Sequence, residues 1–239
     1  MGNSWFRFRQ FTVHQKKTAM KVTTDGCLFG AIQPQLRDGG QGKNILDIGA
    51  GTGLLSLMTA QLNPLATITA LEIEPAAAQE AAENIAGSPL ANAIRVLKQD
   101  VLAYKPAGSF HLIICNPPFY ESQLNSPDNN RNKAHHSTTL QLGRIFPLSA
   151  KWLADGGIFS ILIPFYREEE ALILAKEQNL FCQRLIRVKQ TPSHNFFRSI
   201  LFFGRQPMEK EEEEILIRLE NKEYSPEFQV LLRPFYLNL

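Results

Sequence analysis

The stretch NILDIGAGTG (44–53) constrains this chain more than any other. An apolar run of strand length ends in a turn carrying Gly49, Gly51 and Gly53, and the apolar segment LLSLMTAQL (54–62) follows with helical composition. Glycines let the backbone turn sharply and approach a ligand with no Cβ in the way, while the following helix presents unpaired N–H groups. The rest of the chain repeats the alternation. TITALEI (67–73), AIRVLK (93–98), HLIICN (111–116) and GIFSILIP (157–164) read as strands, with later ones near 183–190 and 199–204. PAAAQEAAENIA (75–86) reads as a helix with Pro75 at its first position, and another helix is expected over 167–179. Such an order implies right-handed crossovers and a mostly parallel sheet, hence an α/β fold.

Composition adds bounds. At 239 residues, 44% apolar and 20% charged, the chain suits one domain over 1–239. An N-terminal extension (1–30) and a C-terminal appendage (207–239) are expected, with the run EKEEEE (209–214) as a solvated linker or turn. The formal charge is only +2, which argues against a polycation. No apolar run is long enough to span a bilayer, and the aromatic, basic N-terminus lacks the apolar core of a secretory signal. Cys27, Cys115 and Cys182 lie far apart with no CxxC pair, which favours a reducing compartment and no metal site. A cytoplasmic protein away from membranes, and a monomer, is the expectation.

Glu72 ends the second strand, 19 residues past Gly53, where an acid accepts hydrogen bonds from ribose hydroxyls. A nicotinamide fingerprint would need glycine where Leu54 or Ser56 stands. A GxGxG turn preceded by Asp47 instead resembles the S-adenosylmethionine loop of the class I methyltransferases. That resemblance implies a seven-stranded Rossmann-like sheet with helices on both faces. It implies cofactor contacts from Asp47, the three glycines, Glu72 and Ile73. Asp100 and Val101 end the third strand, where the resemblance implies contact with the cofactor's adenine; Asp100 could equally cap the short segment after it.

The fourth strand ends in Asn116-Pro117-Pro118-Phe119. Two prolines hold the chain in an extended turn, so the Asn116 amide and the Pro117 carbonyl can point the same way. Two acceptors converging on one point suit an NH2 group, whose lone pair is then freed for attack. Phe119 offers a face on which a planar base or amide stacks. Positioning and hydrogen bonds that strengthen as charge develops supply the catalysis, with no general base needed before attack.

This tetrapeptide resembles the motif of N-methyltransferases acting on adenine N6, guanine N2 or glutamine N5 of release factors. The block FRFRQFTVHQKKTAMKVTTDGCLFGA (6–31) selects among them. Together with LDIGAGTGLLSLMTAQ, LEIEPAAAQEAAENI, NPPFY, KAHHSTTL and the terminus EYSPEFQVLLRPFYL, it is similar to the bacterial tRNA(Val) adenine-N6-methyltransferases, over nearly the whole chain. The resemblance implies methylation of the adenine 3′ of the anticodon, and it places MKVTTDG (20–26) beside the cofactor with Thr24 at its methionyl carboxylate. From the residues alone, Asp25 could cap a helix beginning near Cys27. His135 and His136 receive no role; adjacent histidines lack the i,i+4 spacing of a metal pair. A release-factor or rRNA methyltransferase, and a non-catalytic RNA-binding module with a vestigial loop, are the rival readings.

The charge is unevenly spread. Residues 1–24 carry five bases and no acid, and so does RLIRVKQTPSHNFFRSILFFGR (184–205), whereas 209–223 carry seven acids against three bases. Bases interleaved with aromatics suit phosphate contacts and stacking on unpaired bases, which makes Arg184, Lys189, Phe196 and Arg198 candidate tRNA contacts. The other reading is a sheet edge with exposed cations, and Phe202 and Phe203 are expected to be core.

Overall fold

The computed structural model describes residues 3–118 and 142–239. A hairpin of β1 (Trp5–Arg7) and β2 (Thr12–His14) leads into α1 (Thr24–Ala31). Then follow β3 (Asn44–Ile48), α2 (Leu54–Leu62), β4 (Thr67–Glu72), α3 (Pro75–Ala86), β5 (Ile94–Lys98) and β6 (Phe110–Cys115). After the 119–141 stretch come α4 (Leu142–Trp152), β7 (Leu153–Pro164), α5 (Glu168–Glu177), β8 (Phe181–Lys189) and β9 (Phe196–Gly204). The chain closes with β10 (Glu211–Leu216) and α6 (Pro226–Leu232).

One sheet runs β10-β8-β9-β7-β6-β3-β4-β5, and of its strands β9 alone is antiparallel to its neighbours. The strand order reverses between β6 and β3, so their carboxyl ends flank the crevice where open α/β sheets bind ligands. Both faces are covered. Along β6, Leu112 and Ile114 join the core beneath α1 and α2, while Ile113 and Cys115 join the core beneath α4 and α5. Along β9, Ile200 and Phe202 face the first core, and Leu201 and Phe203 the second. Such strands read as continuous apolar runs because neither face meets water. Among the described residues no helix is long and apolar enough to cross a membrane.

Two expectations change. Among the described residues the sheet has eight strands, and the eighth is formed by the glutamate run, which was expected to be a solvated linker or turn. β10 pairs parallel to β8 with Glu211 opposite Arg184 and Glu214 opposite Arg187. Glutamate is a poor strand former, so no local propensity announced this strand. Attraction between facing strands forms it: Arg184 binds Glu213 at 2.6 Å, Arg187 binds Glu212 at 3.0 Å, and Glu214 lies 3.9 Å from Lys189. Charge on this outermost strand also blunts the sheet edge against pairing with other chains. The segments read as N-terminal extension and C-terminal appendage touch each other. Phe8 bridges to Tyr236, Arg9 N–H donates to the Phe235 carbonyl at 2.8 Å, and the Phe6 and Tyr236 rings lie 5.5 Å apart.

Candidate active site

The glycine turn leaves β3 with Gly49, Gly51 and Gly53 at φ of +77°, +55° and +80°. A side chain is strained in this left-handed region, so the glycines are dictated by conformation. A Cβ on Gly49 would meet nothing within 4 Å, which shows that its face opens on the cleft. At Gly53 a Cβ would lie 3.3 Å from the Ile85 side chain, so this glycine also sets the approach of α3.

Glu72, at the end of β4, is 8% exposed and clamps the turn. Its Oε2 accepts from the Gly51 N–H at 2.8 Å and its Oε1 from the Glu74 N–H at 2.9 Å. A carboxylate has about four acceptor sites, so capacity remains for a diol. The next residue, Ile73, is an apolar side chain 54% exposed beside this acid. Asp100 Oδ1 accepts from Leu102 N–H at 2.9 Å, so it caps the turn that holds buried Val101. Asp47 lies beneath the turn rather than in the cleft. It is fully buried, its Oδ2 accepts from Ser56 Oγ at 2.6 Å, and its Oδ1 has no hydrogen-bond partner among the described residues. Burial pushes its pKa up to about 6, against the Ser56 hydrogen bond and helped by the negative charge of Glu72.

Across the cleft stands the segment before α1. Met20, Lys21 and Thr23 line the cleft together with Gly49, Gly51 and Asn116. Thr23 takes the place expected of Thr24, which is the first residue of the helix. Thr23 also caps α1, its hydroxyl accepting from Gly26 N–H at 3.2 Å. Asp25, one candidate for that cap, instead accepts from Arg198 Nε at 2.8 Å.

Sequence reasoning missed what holds this roof in place. Glu80 of α3 is only 2% exposed and accepts from the backbone N–H groups of Lys16 (2.6 Å), Lys17 (3.0 Å) and Thr18 (3.0 Å), and from the Thr18 hydroxyl. Burial works to raise its pKa, but the Thr18 hydroxyl and these N–H groups outweigh it and hold the pKa below the usual carboxylate range. One turn on, the Asn84 amide accepts from His14 N–H and donates to the carbonyls of His14 and Thr52, tying roof and glycine turn to one helix. The apolar periodicity of α3 carried no signal for this latch, because its partners are backbone atoms some 60 residues away.

Asn116 closes the cleft at the end of β6. Its Nδ2 faces Met20 Sδ at 3.9 Å, and its buried Oδ1 has no hydrogen-bond partner among the described residues. Pro117 is buried beside it. Phe119, His135 and His136 lie outside the described residues.

The candidate tRNA contacts separate into two places. Lys189 ends β8, while Phe196 and Arg198 open β9, all at the carboxyl edge that carries Asn116. Arg184 sits farther down β8 in a bidentate pair with Glu213, so its charge is matched within the sheet, and Arg205 donates to the Ala150 and Leu153 carbonyls at the opposite edge.

Residues 28–163 match the family model of the Methyltransferase small domain, and a methyltransferase is what this loop, acid and cleft define as a class. The chain is 39% identical to a tRNA1(Val) (adenine(37)-N6)-methyltransferase of Bacteroides thetaiotaomicron, with all of both chains covered. It is 36% identical to those of Flavobacterium psychrophilum (98% of this chain, 100% of the relative) and Yersinia enterocolitica (98% and 92%). The chain belongs to this tRNA1(Val) (adenine(37)-N6)-methyltransferase family. Among solved structures, a predicted O-methyltransferase of Agrobacterium tumefaciens superposes with a TM-score of 0.61 at 16% identity, covering 89% of this chain and 99% of that one. A ribosomal protein L11 methylase of Lactobacillus delbrueckii gives 0.56 at 16% identity, covering 82% and 84%. At these identities they share the fold alone.

Proposed function

We propose that this chain methylates the N6 amino group of an adenine in tRNA, the adenine 3′ of the anticodon of a valine tRNA, with S-adenosylmethionine as methyl donor. The observation that carries this reading is the orphaned Asn116 Oδ1, a buried acceptor at the cleft between β6 and β3. A buried acceptor without a donor costs about 1–3 kcal/mol, so it marks where a ligand N–H belongs.

The cleft fits the cofactor by its own chemistry. Gly49 opens on the space where a methionyl tail would run, with Lys21 and Thr23 opposite. Glu72 and Ile73 set an acceptor and an apolar face side by side, which suits a ribose and its base. S-adenosylmethionine, when bound, supplies an electrophilic sulfonium methyl. The protein's task is then to present an amine. Asn116 Oδ1 accepts one amino hydrogen and the Pro117 carbonyl the other, which turns the nitrogen lone pair out of conjugation with the ring. As positive charge develops on nitrogen both bonds strengthen, which stabilises the transition state more than the ground state. Phe119 is proposed as the stacking surface, and Lys189, Phe196 and Arg198 as contacts to the RNA around the target. A base that is already unpaired in a loop enters such a site at least cost.

Incorporation of labelled methyl groups into tRNA, rRNA and release factor, each assayed separately, tests the reading. Label in tRNA as N6-methyladenosine supports it. Label in rRNA guanine or release-factor glutamine assigns one of the rival amines, and no transfer to any leaves a binding module.

A further inference from the structure

We propose that Phe165, Tyr166 and Phe196, rimmed by Lys189, form a shelf on which an unpaired base next to the target adenine stacks. This rests on the tRNA reading above and locates a second nucleotide site.

The shelf is an apolar feature at the wrong depth for core. Phe165 and Tyr166 follow directly on β7, in the turn Phe165–Arg167, and are 36% and 72% exposed. The Phe165 and Phe196 rings lie 5.3 Å apart at 42°, which leaves outer ring surface uncovered. Lys189 Nζ stands 4.4 Å from the centre of the Phe196 ring, and Glu214, its nearby carboxylate at 3.9 Å, is itself 61% exposed. An ammonium so placed is available to a phosphate as well as to the ring. Two aromatic rings and a cation, drawn from the turn after β7, from β9 and from β8, thus meet at one point of the surface, with exposed Tyr166 next to Phe165 in the chain.

The register of the sheet connects that point to the reaction. Cys115 pairs with Ile161 across β6 and β7. Asn116 stands one residue beyond Cys115, and Phe165 four beyond Ile161. Three residues of strand rise and one strand spacing put them about 11 Å apart, on the same edge. That is within reach of the nucleotide adjoining an adenine held at Asn116. Arg198, paired with Asp25 at the start of α1, lies between shelf and cofactor roof and packs at 5.2 Å over Phe197. The chemistry fits a nucleobase better than a peptide: ring faces stack on bases of any identity, and the cationic rim complements a phosphate.

The test uses full-length enzyme, a valine-tRNA transcript, and the same tRNA with an abasic residue at either neighbour of the target adenine. Phe165→Ala with Tyr166→Ala should raise the KM for tRNA about tenfold or more, leaving kcat at saturating tRNA and the Kd for S-adenosylmethionine within twofold. Tyr166→Trp, made alone, should keep the wild-type KM. With wild-type enzyme, one of the two abasic tRNAs should show a comparable KM rise, and the double variant should add little to it, because base and rings are two halves of one contact. A wild-type KM in the double variant, or losses that multiply fully at both neighbours, would overturn the shelf while leaving the tRNA reading intact. A wild-type enzyme inactive on every tRNA would overturn both.

Discussion

In the β3–β6 half of the sheet, two buried acceptors, Asp47 Oδ1 and Asn116 Oδ1, have no hydrogen-bond partner among the described residues. In the β8–β10 half, Arg184, Arg187 and Lys189 each face a glutamate of a neighbouring element. Arg187 goes furthest. It binds Glu168 at 2.7 Å, which also accepts from Ser199 Oγ at 2.6 Å, and it binds Glu212 on its other side. By sequence the second half offered candidate tRNA contacts, since its cations are interleaved with aromatics. The structure matches Arg184 and Arg187 to glutamates within the protein and leaves Lys189 at the carboxyl edge. Charges that find partners inside the protein hold strands together, whereas the acceptor left open at Asn116 lines the cleft.

The contrast can be broken at several points. The largest effect is expected at Asn116. Asn116→Ala should lower single-turnover methyl transfer about 10²–10³-fold, with calorimetric affinity for S-adenosylmethionine within twofold; equal loss of both would make Asn116 a cofactor ligand instead.

Next is Asp47, whose orphaned oxygen is a stability matter. Its pKa stands near 3.8 when unperturbed and about 6 here, so the native state holds the proton more tightly than the unfolded chain does. The stability this contributes is full below pH 3.8 and is lost as pH rises through about 6. Asp47→Asn cannot ionise, so it should melt above the wild type at pH 8, by up to about 3 kcal/mol, with the gap closing toward pH 4. A gap that ignores pH would show that Asp47 stays charged when buried.

Glu80→Gln should loosen the roof. One carbonyl oxygen replaces two charged ones, and at least one N–H of Lys16–Thr18 loses its acceptor. The Kd for S-adenosylmethionine should rise about tenfold, with faster amide exchange at residues 16–18; unchanged affinity would separate the latch from the cofactor.

The smallest effects sharpen the other half. Arg184→Met should lower the melting temperature by about 2–4 °C, the loss of a partly exposed pair, and leave the KM for tRNA within twofold. Lys189→Met, at the carboxyl edge, should raise that KM severalfold. If Arg184→Met raises it as much, the matched charges of β8 also meet RNA.

Much of this molecule was legible in its sequence because the relevant forces act over short separations. Strands buried on both faces appear as unbroken apolar runs. A turn requiring positive φ appears as glycines, and a rigid strand end appears as paired prolines. The family followed from motifs that depend on that local geometry, so β3 through β7, the glycine turn at Gly49–Gly53, and the placement of Glu72 and Asn116 at strand ends are all legible in the chain itself. Phe202 and Phe203, expected as core, are buried.

What required the tertiary structure depends on partners distant in the chain. Whether glutamates 211–214 form a linker or a strand is decided by the arginines of β8, more than twenty residues earlier. Glu80 is an ordinary helix acid until the N-terminal segment closes its N–H groups around it. Thr23 rather than Asp25 caps α1, while Arg198, 173 residues on, takes the Asp25 carboxylate. Local sequence specifies backbone conformation and which faces are apolar. Charge pairing, and the lack of it at Asn116, exists only once the folded sheet has brought its carboxyl ends to one edge.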